Sequence, residues 1–441
     1  MGAPGLCALQ SAADLATGRK PMSRPRTLLA RACTAAALAL PLAAGDWPQF
    51  RGPDRDAKSD ATGLLRAWPE GGPRKLWSVE TCEGYAAAAI VGGRVYFNDY
   101  DREAEAWLVR CLALDSGAEL WRYSEERKIR PNHGITRTVP AVDGELVFSF
   151  DPKCVLHCID AATGKELWRK SMVADYGGRI PSWYNGQCPL IEPDRVLVAP
   201  GGEALVVALE KRTGKELWRT PNPEQRNMSH ASLMPAELGG VRQYLYCTLE
   251  GPLGVSAADG SVLWQFPFKF NVAVSPSPLV VDAERVFLTA GYDAGSVMIR
   301  VRRDGETFAV AELFRLSSAE WNSEVQTPIV HEGHIFGVGK RRRGLFTCLD
   351  LEGKVVWESP AEAGFELGSY LYADGVFLVM EGLTGVLHMI EASTKGYREL
   401  ARAEVLSGPD VWGPLALADG RLVVRDMTHM VCLQVGAEEQ R

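Results

Sequence analysis

The seven residues Thr-Gly-Lys-Glu-Leu-Trp-Arg occur twice in this chain, as Thr163–Arg169 and as Thr213–Arg219. A catalytic motif is needed once per active site, so a verbatim repeat reads as a structural part used many times. Looser copies keep the order of a Gly, an aliphatic residue and a Trp: DSGAELW (Asp115–Trp121), DAATGKELW (Asp160–Trp168), KRTGKELW (Lys211–Trp218), ADGSVLW (Ala258–Trp264) and DLEGKVVW (Asp350–Trp357). The steps between these Trp residues are 47, 50, 46 and 93, so one degenerate copy lies in the last gap, and AELFRL with Phe314 fits it.

A second pattern runs in phase with the first, an apolar run split by a tight-turn pair. AIVGGRVYF (from Ala89), PAVDGELVF (from Pro140), PIVHEGHIF (from Pro328) and PLALADGRLVV (from Pro414) are examples, and the full set makes eight units of about 45 residues. Gly-Gly and Asp-Gly links supply the positive φ angles of two-residue hairpins, so each unit is a four-stranded antiparallel meander. Sheets recurring at this period cover their apolar faces by stacking around an axis, and no long helical periodicity lies between the strands. The fold expected is all-β, an eight-bladed β-propeller. The last unit ends after three strands, while KLWSV (Lys75–Val79) is a Leu-Trp strand with no unit before it. That N-terminal strand is expected to complete the last blade and leave no free sheet edge at the seam.

Length alone would suggest several domains; the repeat replaces that expectation with one ring over residues 73–436, preceded by an extended segment over 46–72 and followed by a tail over 437–441. Residues 1–45 read as a secretory signal whose start is open between Met1 and Met22. A basic stretch, SRPRTLLAR, precedes the apolar ACTAAALALPLAA and the small residues Ala43-Ala44-Gly45, with cleavage expected after Gly45. The apolar run is too short and too Ala-rich for a membrane-spanning helix. Arg31 beside Cys33 and the apolar run after that Cys argue against a lipidated cysteine.

Removing residues 1–45 takes away five basic residues and one acidic one, moving the net charge from −7 to −11. Such a balance disfavours nucleic-acid binding, which rests on neutralising phosphates. The run Lys340–Arg343 is a solvated hairpin loop or a contact for an anionic partner. Cys158, Cys348 and Cys432 occupy the same place in three units and read as buried core residues, and Cys154 and Cys158 are too far apart along one strand to pair.

Several patterns fail as chemistry. His331-Glu332-Gly333-His334 has the wrong spacing for a zinc helix and falls on a hairpin turn, and Gly337-Val338-Gly339-Lys340 lacks the remaining residues of a phosphate loop. His157 and His388 share a unit position and read as strand residues. No metal site is expected. The better place to look is the loops leading into the inner strands, which form the mouth of a propeller's funnel. They are polar and aromatic: PNHGITRT, IPSWYNGQ, NMSHAS, KFNVAVS, EWNSEVQT and PDVWG. Arg137, Trp183, Tyr184, Asn185, His230, Asn271, Trp321, Asn322 and Glu324 are the candidate funnel-lining residues, suited to a flat or sugar-like ligand or to stacking between blades.

The Asp-x-x-Thr-Gly-Lys-x-x-Trp ending resembles the repeat of PQQ-like β-propellers, a superfamily that includes quinoprotein alcohol dehydrogenases and the assembly factor BamB. The opening DWPQFRGPDRD (Asp46–Asp56), followed by GLLRAWPEGGPRKLWS, is similar to the start of secreted PQQ-like proteins of planctomycetes. The resemblance implies that Trp77, Trp121, Trp168, Trp218, Trp264 and Trp357 dock one blade onto the next. It also implies two functions. One is an exported non-catalytic scaffold, BamB-like in architecture, periplasmic or secreted, expected to be monomeric and to bind a protein or a glycan without a cofactor. The other is a dehydrogenase using PQQ and calcium, for which family members carry a vicinal Cys pair, a calcium site of Glu, Asn and Asp, and a catalytic Asp. No Cys-Cys pair and no Cys-x-x-Cys-His occur here, and no catalytic residue is carried over. Fold motifs of this kind say little about function.

Overall fold

The structure, a computed structural model, describes residues 45–130, 132–339 and 344–437, together with Met1. Nearly all of the expected signal segment and tail, and the whole Lys340–Arg343 run, lie outside those residues. The strands form eight sheets. Blade 1 consists of Ala89–Val91, Arg94–Asp101, Ala106–Ala113 and Glu119–Glu126, paired antiparallel in sequence order. Blades 2 to 7 repeat this order over residues 141–171, 190–221, 234–265, 279–316, 329–358 and 370–404. The seam closes as the sequence leads one to expect. Arg74–Glu80 pairs antiparallel with His429–Gln434 and becomes the outer strand of blade 8, inside which lie Arg421–Arg425 and Ala416–Ala418. One short helix, Met172–Tyr176, caps the outer strand of blade 2.

The first strand of each blade is short and buried, and first strands of successive blades lie side by side around the axis. A hydrogen-bonded belt joins several of them just ahead of the strands. The Val139 N–H donates to Cys188 Sγ (3.3 Å), Cys188 N–H to Ser232 Oγ (2.9 Å), Ser232 N–H to Ser277 Oγ (3.1 Å) and Ser277 N–H to Thr327 Oγ1 (2.8 Å). Small side chains at one repeat position thus accept backbone N–H groups in turn, from blade 2 round to blade 6.

The outer strands explain the repeated stretch, with one correction. Simple strand alternation would put Leu and Trp of Leu-Trp on opposite faces. Instead the register slips just before the Trp, as between Glu119 and Trp121, Glu166 and Trp168, and at the matching place in every other blade. The extra residue of this β-bulge is the Leu, and Leu120, Leu167 and Leu217 are 48%, 48% and 44% exposed. Residues three apart in a regular strand face opposite ways, but across the bulge they share a face. Hence Glu119 pairs with Arg122, Glu166 with Arg169, Glu216 with Arg219 and Glu312 with Arg315, at 2.5 to 2.8 Å.

Five of the six Trp residues then reach the following blade. The indole Nε1 of Trp77 donates to Leu114 O (2.8 Å), Trp121 to Ala161 O (3.0 Å), Trp168 to Lys211 O (2.8 Å) and Trp357 to Ser393 O (3.0 Å), each acceptor in the next turn along the ring. The Gly of that turn meets the ring. A Cβ on Gly117, Gly164, Gly214 or Gly260 would fall 2.8, 2.6, 2.7 or 2.4 Å from Trp77, Trp121, Trp168 or Trp218. Phe314 meets Gly353 in the same way. Trp264 differs, donating to Gln243 Oε1 of its own blade. In blade 7 the position belongs to Ala401, paired with Met389, and the next blade approaches through Gly72 against Ala403.

The segment over 46–72 is part of the ring, and its first half is a strap across the axis. Trp47 exchanges backbone hydrogen bonds with Ile90 of blade 1 (2.7 and 2.8 Å), and Pro48 O accepts from Val142 N–H of blade 2 (2.8 Å). Arg51 Nη1 and Nη2 donate to Thr327 O and Pro328 O of blade 6 (2.5 and 2.8 Å). Arg55 Nη1 donates to Pro189 O of blade 3 (2.8 Å). Ala57 O accepts from Tyr372 N–H of blade 7 (2.9 Å), where Lys58–Ser59 adds a parallel fifth strand. Blades 2 and 6, like blades 3 and 7, face each other across an eight-membered ring, so residues 48–57 fill the axial channel. Leu64 and Leu65 then bridge to Gly436 and Val435 beside the seam.

The Trp-on-Gly contact predicts a specific coupling. Trp168→Ala lowers the stability by about 3 kcal/mol, through lost burial and a lost hydrogen bond. Gly214→Ala costs more than about 1 kcal/mol alone, since its φ is +68° and its new methyl strikes the indole. In the double variant the collision disappears, so the two losses fall short of additivity by about 1 kcal/mol or more. Urea unfolding of the four proteins measures it.

Candidate functional site

The loops leading into the inner strands meet at one end of the channel. Tyr85, ahead of blade 1, stacks on Trp412, ahead of blade 8, with ring centroids 4.9 Å apart and planes 10° from parallel. His133 lies 5.9 Å from the first ring and 5.2 Å from the second. The Arg137 guanidinium sits 5.5 Å from the centre of the Tyr85 ring, a cation–π contact. It donates to the carbonyls of Gly134 (2.5 Å), Asn132 (3.4 Å) and His133, and burial lowers its pKa to about 10. Burial, reinforced by the Asp410 carboxylate 3.5 Å from the hydroxyl, pushes the Tyr85 phenol above its ordinary range.

A second aromatic group faces it. Trp183 and Tyr184 both adopt left-handed backbone, φ 63° and 67°, strain that non-glycine residues accept only when their surroundings impose it. The Trp183 ring lies 6.2 Å from His230 and 6.2 Å from Tyr292, nearly parallel to the latter. The Tyr184 hydroxyl donates to Arg130 O (2.8 Å). Burial, and then the charge of Arg137, lower the His230 pKa to about 4, so this imidazole is neutral at physiological pH.

The other candidates separate. Asn271 is exposed and donates to Tyr292 O (3.2 Å) beside the second group. Glu324 shares a small recess with Ser323, Gln326, Glu366 and Leu367. Asn185, 1% exposed, is turned back on Gln187, and Asn322, also 1% exposed, donates to Ala290 O (2.9 Å). Trp321 is a correction to its expected place on the funnel wall: 2% exposed, it packs against Phe287 and the backbone at Gly339. Its neighbours in sequence are polar, and only the three-dimensional packing reveals that this Trp turns inward.

Sequence reasoning missed Tyr85, Trp412, His133 and Gln326. Three of them, His133, Gln326 and Trp412, stand in loops already singled out for their polarity. Gln326 Nε2 bridges to Leu367 O (3.2 Å) and Trp412 O (3.0 Å), tying the loops of blades 6, 7 and 8.

Away from the mouth, His157 and His388 are each held by carboxylates. His388 has Nδ1 2.7 Å from Glu399 and Nε2 2.9 Å from Glu381. His157 has Nδ1 2.7 Å from Glu166, with Glu125 and Asp151 at 3.8 and 3.9 Å. Glu125, His157 and Glu166 bring three potential metal-ligand atoms within 4.8 Å of one another. The same carboxylates already bond Arg127, Arg169 and the Tyr123 hydroxyl, so they are engaged in an ion-pair network, while the buried His157 Nε2 makes no hydrogen bond. His331 of the His-Glu-Gly-His stretch, on a hairpin, lies 4.4 Å from the Tyr372 ring with the planes tilted by 33°.

The sequence profile of the family described as "Outer membrane protein assembly factor BamB" matches residues 104–359, more than half of the chain. The chain belongs to this family of PQQ-like propellers. An outer membrane protein assembly factor BamB of Moranella endobia is 23% identical over 259 residues, 55% of this chain and 61% of that protein. A tetrathionate hydrolase of Acidithiobacillus ferrooxidans is 28% identical over 195 residues, 42% of this chain and 37% of that protein. The chain thus spans less than two thirds of either relative. Among solved structures, BamB from Moraxella catarrhalis superposes with a TM-score of 0.57 at 14% identity, covering 83% of this chain and 99% of that one. A quinohemoprotein alcohol dehydrogenase from Comamonas testosteroni gives 0.61 at 12% identity, covering 90% and 81%. A europium-containing methanol dehydrogenase gives 0.64 at 14%, covering 87% and 90%. At these identities the likeness is one of fold. No helix among the described residues is long and apolar enough to cross a membrane.

The histidine network has a pH signature. Burial opposes the charge on His157, and the carboxylates of Asp151 and Glu166 outweigh it, holding the imidazole above its ordinary pKa. A raised folded-state pKa contributes stability that is complete below the unfolded value of about 6.5 and is lost as pH rises through the folded value. His157→Gln therefore costs most stability at pH 5.5, and the gap to wild type narrows at pH 8.5, read from urea midpoints.

Proposed function

We propose that this chain is an exported, non-catalytic propeller that binds a protein partner through the loops at its funnel mouth. Membership of the BamB family supports a binding role. The mouth itself is built like a recognition surface. Paired aromatics (Tyr85 with Trp412, Trp183 with Tyr292) flank the Arg137 guanidinium, and the apolar side chain of Val272 is 51% exposed nearby on the loop leading into blade 5. Aromatic residues and Arg are the usual anchors of protein interfaces. A glycan is the less favoured ligand of the same surface.

The observation that carries the non-catalytic reading is the strap. PQQ with calcium would need a carboxylate-rich cation site inside the ring. Here the axis is filled by residues 48–57, whose charged groups directed at the inner strands are the guanidiniums of Arg51 and Arg55. Two guanidiniums on the axis would repel a calcium ion there, which supports the reading without the group. His230 at the mouth is neutral and has no carboxylate to activate it among the described residues. The compartment we propose is the periplasm or beyond, reached through a signal cleaved after Gly45.

Photo-crosslinking amino acids at positions 183 and 272 of the exported protein, expressed in its own cells, test the reading. Discrete crosslinked protein species from these two sites, absent from the outer-strand position 167, are expected. Reduction of a dye on adding PQQ and calcium to the purified chain, or crosslinks from position 167 alone, would overturn it. Sequencing of the exported protein is expected to begin at Asp46.

A further inference from the structure

We infer that the axial channel is a receptor for an arginine-bearing peptide, and that the chain's own residues 47–59 are its resident ligand. The chemistry of the channel wall carries this, independently of what the mouth binds. In five blades a proline leads into the inner strand: Pro140, Pro189, Pro278, Pro328 and Pro414. A proline offers a carbonyl and no N–H. The N–H groups just ahead of three of these prolines, on Val139, Cys188 and Ser277, are consumed sideways by the belt, on Cys188 Sγ, Ser232 Oγ and Thr327 Oγ1. What remains facing the axis at this level is a surplus of acceptors, among them the carbonyls of Cys188, Pro189, Thr327 and Pro328.

A surplus of acceptors selects a group with many donors and no acceptor, which describes a guanidinium. Arg51 uses Nη1 and Nη2 on Thr327 O and Pro328 O, and its Nε and Nη2 on Arg55 O and Asp56 O (3.0 and 3.1 Å). Arg55 uses Nη1 on Pro189 O and on Gln49 Oε1 (3.1 Å), and Nη2 on Cys188 O (3.4 Å). Arg51 is 6% exposed and Arg55 fully buried, and no carboxylate forms an ion pair with either among the described residues. Burial lowers both to about 10, still charged at neutral pH. A primary ammonium, with three donors at one point, cannot span two neighbouring carbonyls in this way.

The strap also behaves as a ligand in its backbone. Arg51, Arg55 and Ala57 all have positive φ (64°, 59° and 61°), a conformation that costs L-residues roughly 1 kcal/mol or more each. Three such residues within seven do not arise from the segment's own preferences; the channel imposes them. The belt, by contrast, runs from blade 2 to blade 6 without any atom of the strap. The wall is a preformed half and the strap an induced half, joined by the exposed residues Asp60, Thr62 and Gly63.

Two experiments test this. In the first, a protease recognition sequence replaces residues 60–63 of the full chain, and the folded protein is cut there. The cut strap is expected to co-elute with the ring and to be exchanged by a labelled synthetic peptide of residues 46–59. The same peptide carrying Arg51→Lys and Arg55→Lys should compete roughly tenfold less well or worse. Equal competition by the lysine peptide, or a ring that stays folded without the strap and binds no peptide, overturns the inference. The second experiment serves if the cut ring unfolds. The uncut Arg51→Ala/Arg55→Ala variant is melted with millimolar arginine amide or lysine amide. Arginine amide alone is expected to raise the melting temperature toward wild type; no rise, or an equal rise with lysine amide, overturns the inference.

Discussion

A flat indole laid against a bare Cα is the contact on which the ring depends. A four-stranded meander has two apolar faces and cannot bury either alone, so it is stable only where a neighbour covers it. The repeated ending solves this with two residues of one motif acting in different interfaces. The Gly of a turn receives the Trp of the blade before, and the Trp four residues later is received by the blade after. Any side chain at the Gly would collide with the indole, and any shorter side chain at the Trp would leave a void. One short sequence, reused, thereby fixes both the distance and the angle between successive blades. The bulge ahead of the Trp belongs to the same device, because it turns the ring toward the neighbour and leaves the Leu outside.

The ring departs from its own rule where it closes. Blade 7 carries Ala401 instead of an aromatic residue, and the blade it must meet is assembled from both ends of the chain. Gly72 against Ala403 brings the backbones together there, and Leu64 and Leu65 tie the N-terminal segment to Val435 and Gly436. The seam is thus held by strand pairing and by the segment that precedes the outer strand.

The strap changes what the funnel can be. An open propeller channel offers a deep polar well; here two guanidiniums and the main chain of residues 48–57 form its floor. What the strap leaves open is the mouth, where aromatic pairs, one partly buried guanidinium and a histidine lie on loops braced to one another across several blades.

How far the sequence could be read follows from the range of the interactions involved. The count of blades, their meander order and the closing strand were legible, because each rests on hairpin turns and strand patterns within a few dozen residues, repeated until no other fold accommodates them. Phe314 could be placed in a gap by spacing alone. The bulge was not legible, since alternation in Glu-Leu-Trp-Arg looks regular until cross-strand register is known. Trp321 and Asn322 could not be told from lining residues, because inward and outward loop residues share a composition and differ only in which backbone they meet. The strap was least legible of all. DWPQFRGPDRD has no periodicity, and nothing in it marks its two arginines for burial until the folded ring brings carbonyls from opposite blades to meet them. The sequence by itself determined the repeating architecture, which short-range patterns encode many times over. Only the tertiary structure decided the axis and the mouth, where single, unrepeated residues take their roles from partners hundreds of positions away.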